Sequence, residues 1–331
     1  MDESIVDAVR RMSVLPGIGL GALGLVALFG EYSYREITRR LPNDFTDEPS
    51  RWELPVPESL ALRTRDGLRI ASWLFTNPTA CATVVILHGH GANKHLLLPL
   101  AHILNPAYNV LLLDSRGHGE SDGTRTTIGY EERIDVLAVV DELERRQLGP
   151  IGIWGTSMGA VTALLAAAED ERIVAILADS PYARLRHAVA ETGKLRGYPT
   201  ALAPALAYVA CWSTARRLGY QMAAFDPIEI IDRIAPRPLL LIHGEHDEII
   251  PLNDAYLLYA KANQPKDLWV IPELQHCRAL EAAYEPFCNR VREFFGEHLS
   301  EAALARLAGI APPARKPALA ASETKAMMGS K

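Results

Sequence analysis

The chain has 331 residues, with 34 Lys and Arg against 40 Asp and Glu, a net charge of -6 and a pI near 6.0. That acidic balance, without a long basic stripe, excludes nucleic acid as an expected partner. Its four cysteines show neither metal-ligand spacing nor a dense disulfide pattern, which fits a reducing compartment.

In chain order, residues 1–11 form a flank and 12–30 an uncharged run of nineteen residues. As a helix that run is about 28 Å long, close to the roughly 30 Å hydrocarbon thickness of a bilayer. Leu28 spoils an A-x-A-like cleavage site ending at Gly30, so the expectation is an uncleaved single-span membrane anchor rather than a signal peptide or a buried helix. Arg10 and Arg11 on one side face Arg35, Arg39 and Arg40 on the other, so orientation is not readable. Residues 31–58, with Pro42, Pro49, Pro55 and Pro57 in the second half, read as a tether. A folded domain is expected over 59–297, followed by a tail over 298–331 that reads as disordered from about 311.

Within the domain, Leu60 to Thr64 and Leu68 to Phe75 flank Arg65-Asp66-Gly67, an antiparallel hairpin signal. Apolar runs then alternate with helical patterns. The expected strands are Ala82–Leu87, Val110–Leu113, Ile151–Trp154, Ile173–Asp179, Pro238–His243 and Leu268–Ile271. The helices between and after them are Asn93–Leu104, Tyr130–Arg146, Ser157–Ala168, Pro251–Lys261 and Leu280–Phe295. Such alternation implies an α/β fold with a parallel sheet and helices on both faces. The stretch from Ser180 to Pro236 breaks the pattern. Its residues 197–215 carry no charge, and Pro199 and Pro204 argue against a membrane span there.

The chemistry concentrates at Gly155-Thr156-Ser157-Met158-Gly159, between an apolar strand and a small-residue helix. There G-x-S-x-G places a serine on a sharp turn at a helix N-terminus. A serine hydroxyl needs a base within hydrogen-bond reach and a group that orients the base. His276, a short loop beyond the last strand, is preferred over His298, which reads as a solvated residue of the terminal helix. Asp247 is the preferred acid over Glu245 and Glu248, because it lies just past the Pro238–His243 strand. The oxyanion donors are assigned to the backbone N–H groups of His90, in His88-Gly89-His90-Gly91, and of Met158. His88-x-His90 lacks a third ligand, so no metal is expected. In Asp114-Ser115-Arg116-Gly117-His118-Gly119-Glu120-Ser121, Arg116 is expected to tie loops together, and His118 precedes the nucleophile in the chain, which argues against it as base. Cys277 reads as a bystander.

Together His88-Gly89-x-Gly91, Asp114-x-Arg116-Gly117-His118-Gly119-x-Ser121, Gly155-x-Ser157-x-Gly159, His243-Gly244-x-x-Asp247-x-x-x-Pro251 and His276 resemble the α/β-hydrolase superfamily, over about residues 59–297. Within it the chain is similar to the serine-aminopeptidase and prolyl-oligopeptidase-like branch. The resemblance implies an eight-stranded, mostly parallel sheet, acyl-enzyme chemistry, no cofactor, and a lid at about 181–235. That lid is expected to pack on the core with its own apolar face; a greasy lid that binds acyl chains or touches a bilayer is the alternative. The expected activity is hydrolysis of carboxylic esters through Ser157, His276 and Asp247, on a small acyl substrate that is lipid-like or peptidic. Alternatives are an aminopeptidase, for which Glu191 would hold the substrate amine, a thioesterase or acyltransferase, and a catalytically silent binding or scaffold protein.

Overall fold

The computed structural model describes residues 24–41 and 43–307. Its centre is an eight-stranded sheet in the order β1-β2-β4-β3-β5-β6-β7-β8. The strands are β1 (Glu58–Arg63), β2 (Arg69–Phe75), β3 (Thr83–Leu87), β4 (Asn109–Leu113), β5 (Ile151–Thr156), β6 (Ile173–Asp179), β7 (Leu239–Gly244) and β8 (Lys266–Ile271). β1 and β2 form the antiparallel hairpin, closed by a bond from Gly67 N–H to the Thr64 carbonyl, and β2 pairs antiparallel with β4. From β4 to β8 every pairing is parallel.

β3 and β4 are buried at every residue, as strands covered on both faces must be, so their sequences run continuously apolar instead of alternating. Successive side chains still point to opposite faces. Val84, Ile86, Val110 and Leu112 enter one core layer, under α2 (Leu98–Leu104) and α9 (Tyr284–Leu307). Val85, Leu87, Leu111 and Leu113 enter the other, under α3 (Glu132–Arg145), α4 (Met158–Glu169) and α7 (Leu252–Lys261). The segment between β6 and β7 forms α5 (Leu185–Leu195), α6 (Ala203–Leu218) and short 3-10 turns. Its Tyr182, Leu185, Cys211, Ala215 and Phe225 pack on Val161 and Leu165 of α4, which gives the lid an apolar underside.

The ends of the chain depart from expectation. A helix, here α1, runs from residue 24 to 38, through the first eight residues of what was expected as tether. It lies against the lid: Gly30 is buried beside Ser213, and the Phe29 ring meets Tyr198 edge-on at 6.4 Å. Of the expected membrane span, residues 24–30 therefore belong to α1, where Phe29 and Gly30 pack on the lid while Leu25, Val26 and Leu28 stay exposed, and 12–23 lie outside the described residues. Among the described residues no helix is long and apolar enough to cross a membrane. The remaining tether is fastened to the core by Asn93 Nδ2, which donates to the Phe45 carbonyl at 2.9 Å, and by His102 Nδ1, which donates to the Trp52 carbonyl at 2.7 Å. At the other end α8 (Ala279–Ala282) precedes α9, and α9 continues through Leu307 because Leu299 is fully buried under the sheet. The expected tail thus begins inside a helix, and its stretch from 311 lies outside the described residues.

Sequence patterning missed a buried ion pair. Lys94, 1% exposed, donates to Asp114 Oδ2 at 2.8 Å and to Glu120 Oε2 at 2.6 Å. Removing one member of such a pair strands the other charge in the interior, at a cost of about 3–5 kcal/mol. Lys94→Ala is expected to lower the urea midpoint accordingly; a shift below about 1 kcal/mol would show that water reaches Asp114.

Candidate active site

Because β5 lies between β3 and β6, the loops that follow β3, β5, β7 and β8 open at one edge of the sheet, the carboxyl ends of parallel strands. Ser157 makes the whole turn between β5 and α4, with φ 52° and ψ -116°. This strained backbone is held by a bond from Ser157 N–H to the Asp179 carbonyl at 2.8 Å, and by Ala160 and Val161 N–H bonding back to the Ser157 carbonyl. The flanking glycines have a steric cause. A Cβ on Gly155 would sit 2.1 Å from the Gly159 carbonyl oxygen, and one on Gly159 would sit 2.4 Å from that of Leu87.

The structure brings the three sequence-selected side chains to one point. His276 Nε2 lies 2.9 Å from Ser157 Oγ, and His276 Nδ1 lies 2.6 Å from Asp247 Oδ2. The carboxylate fixes the tautomer: Nδ1 carries the proton, and the Nε2 lone pair faces the serine hydroxyl. Asp247 is held in turn by the N–H groups of Ile249 at 2.9 Å and Ile250 at 2.8 Å, both on Oδ1. Burial works to raise the Asp247 pKa, but the bond to His276, the imidazole charge and the Ile250 N–H outweigh it and hold the carboxyl below its usual range. Glu245 and Glu248 are exposed, and Glu245 instead accepts from the Glu273 N–H. His298 stacks edge-on against Phe294 in α9.

The oxyanion assignment has a geometric basis in strand register. Leu87 at the end of β3 pairs with Gly155 of β5, so the residues just beyond both strand ends meet over Ser157. Both His90 and Met158 line the cavity above the serine. Met158 opens α4, where an N–H has no intrahelical acceptor. Among the described residues neither N–H donates to a loop carbonyl.

Two buried histidines brace the His90 loop. His88 Nδ1 donates to the Gly89 carbonyl at 2.7 Å, and its Nε2 accepts from Ser115 N–H at 3.0 Å. His118 does the same between the Arg116 carbonyl at 3.0 Å and Gly91 N–H at 3.2 Å. Each ring therefore donates at one nitrogen and accepts at the other, the pattern of neutral imidazole, and no nitrogen of either is left for a metal. Arg116 ties loops as expected, bonding Asp135 and, through both Nη atoms, Asp66.

Burial pulls His88 down to about 4, from 6.5. The unfolded chain then takes up the proton first, so stability is complete above about pH 6.5 and falls as the pH drops toward 4. His88→Gln is expected to flatten that slope in denaturant midpoints taken at pH 7 and 5; an unchanged slope would assign the acid sensitivity to other groups.

Two neighbours were not selected from sequence. Asp179, at the end of β6, is fully buried behind Ser157; burial lifts it to about 6 against a bond from Ser180 Oγ. Its place at a strand terminus was the available signal. Cys277 Sγ lies 3.7 Å from His276 Nε2, and burial pushes its thiol far above the usual range, which disfavours the nucleophilic thiolate.

These features have counterparts in known proteins. The family model described as serine aminopeptidase, S33, matches residues 78–224, a range that holds Ser157 but neither Asp247 nor His276. The uncharacterized protein YqkD of Bacillus subtilis is 33% identical over 221 residues, spanning 64% of this chain and 70% of that one. The protein bem46 of Schizosaccharomyces pombe is 25% identical over 282 residues, 80% of this chain and 87% of that one. An esterase structure from Pyrococcus furiosus superposes with a TM-score of 0.65 at 26% identity, covering 78% of this chain and 99% of that one. The sheet and its relatives define a hydrolase fold. This chain belongs to the α/β-hydrolase superfamily.

Proposed function

We propose that the chain is a serine hydrolase of carboxylic esters, a reading carried by the unbroken bond line from Asp247 through His276 to Ser157 Oγ. Ser157 Oγ attacks the acyl carbonyl carbon while His276 Nε2 takes the hydroxyl proton. The carbonyl π electrons move onto oxygen, where the N–H groups of His90 and Met158 stabilise them. Collapse expels the alkoxide, which His276 protonates, and leaves the acyl group on Ser157. Water, deprotonated by His276, then attacks the acyl carbon and frees Ser157.

Esters are favoured over peptides by the charges near the site. An aminopeptidase needs an unpaired carboxylate at the pocket to hold the substrate amine. Glu191 is paired with Lys194 at 2.7 Å, and Glu36, which does line the cavity, faces Arg196 at 3.5 Å. The peptidase reading is kept alive by the family description, and one screen separates the two. p-Nitrophenyl esters, acyl thioesters and aminoacyl p-nitroanilides are offered to the full chain. Preferential turnover of the esters is expected, and selective turnover of the anilides would reverse the assignment.

The uncharged run over 12–30 supports attachment to a membrane as a separate proposal. Carbonate washing of membranes from expressing cells is expected to leave the full chain in the pellet; full release would refute it.

A further inference from the structure

The cavity above Ser157, about 200 Å³, is not closed by the sheet and lid alone. α1 supplies Phe29, Ser33 and Ile37 to its lining, and α6 supplies Ala207. This helix lies outside the region that the family model matches. It is also fastened at both ends. On the lid side Glu31 pairs with Arg217, Glu36 pairs with Arg196 at 3.5 Å, and the Arg217 guanidinium lies 5.6 Å over the Tyr34 ring. A Cβ on Gly30 would stand 2.2 Å from Ser213 Oγ, so the two helices approach as closely as a glycine permits. On the core side Thr126 N–H donates to the Thr38 carbonyl at 3.0 Å, and Arg40 Nη2 to the Gly119 carbonyl at 3.1 Å.

The lining is mostly apolar, and among the described residues its one acid, Glu36, pairs with its one arginine, Arg196. A charged substrate tail would have to break that pair, whereas a hydrocarbon chain would not. We propose that α1 is a wall of the substrate site: an uncharged acyl chain, attached at Ser157, runs between Phe29 and Ile37 on one side and Ala207 on the other. The fit of α1 against α6 then sets the chain length the site accepts. The substrate class rests on the ester reading above; the wall itself rests on the cavity.

Burial of one CH2 is worth about fourfold in binding. For the full chain, kcat/KM is expected to rise at least tenfold from p-nitrophenyl acetate to the octanoate. In the Phe29→Ala/Ile37→Ala double variant the octanoate-to-acetate ratio of kcat/KM should fall about tenfold or more, chiefly through KM. Ala207→Phe, which fills the cavity from the lid side, should lower the same ratio without touching α1. Thermal melting checks that both variants fold. A ratio that stays constant in both, or a decline shared equally by the two esters, overturns the wall. Decanol binding to the Ser157→Ala protein, read by calorimetry, is independent of chemistry. If no ester is turned over but decanol binds and the double variant weakens it about tenfold, the wall stands and the ester reading fails. Absence of decanol binding overturns the wall as well.

Discussion

Ser157→Ala is expected to lower ester turnover by about 10⁴- to 10⁶-fold, with KM little changed, and to abolish fluorophosphonate labelling. The size follows from the role. Without Oγ there is no acyl-enzyme, and only the oxyanion donors and substrate binding act on the direct attack of water. The melting temperature should stay within a few degrees. The Ser157 backbone, at φ 52°, is held by main-chain bonds that the substitution retains. Labelling that persists undiminished would move the nucleophile elsewhere, and Cys277 would be the first residue to examine.

Asp247→Asn should cost about 10⁴-fold in kcat, although it removes no reacting atom. An amide at this position can present its NH2 to Nδ1, which then gives up its proton and turns the imidazole into the tautomer protonated at Nε2. That ring cannot accept the serine proton. Asp247 Oδ1 also holds the Ile249 and Ile250 N–H groups, so Asp247→Ala should add a loss of stability that Asp247→Asn largely avoids. Asp179, the other carboxylate near His276, is lifted to about 6 by burial. If it substitutes for Asp247, the residual activity of Asp247→Asn should rise between pH 5 and 7 as Asp179 ionises. Retention of more than about one tenth of native activity at all pH values would remove Asp247 from its assigned role.

Much of the site was legible from sequence because the relevant signals are short. Gly155-Thr156-Ser157-Met158-Gly159 marks a turn whose glycines have a steric cause visible in any such strand-to-helix step. Asp247 follows a buried strand and His276 one that is apolar from Leu268 to Ile271, and strand ends in a parallel sheet open at one edge. The register of β3 on β5 then carries His90 toward Ser157. Less legible were residues whose neighbours are remote in the chain. Nothing next to Lys94 in the chain marks it for burial; the fold closes Asp114 and Glu120 around it. The sequence argues against a metal at His88 and against His118 as base, but their bracing role shows only once their four nitrogens are seen committed to backbone groups.

The sequence alone determined the order of strands and helices, the bend that presents Ser157, and the order of Ser157, Asp247 and His276 along the chain. These follow from hydrophobic period and turn chemistry, which act within about a dozen residues. Only the tertiary structure decided what residues 29–38 do. The uncharged run that ends at Gly30 fits a bilayer or a protein groove equally well by composition. From Gly30 onward the contacts are with protein, through Ser213, Arg196 and Arg217, side chains that meet α1 only when the lid folds over the sheet. Apolar burial has no direction of its own, so the surface a greasy helix covers is set by the partners the fold delivers to it.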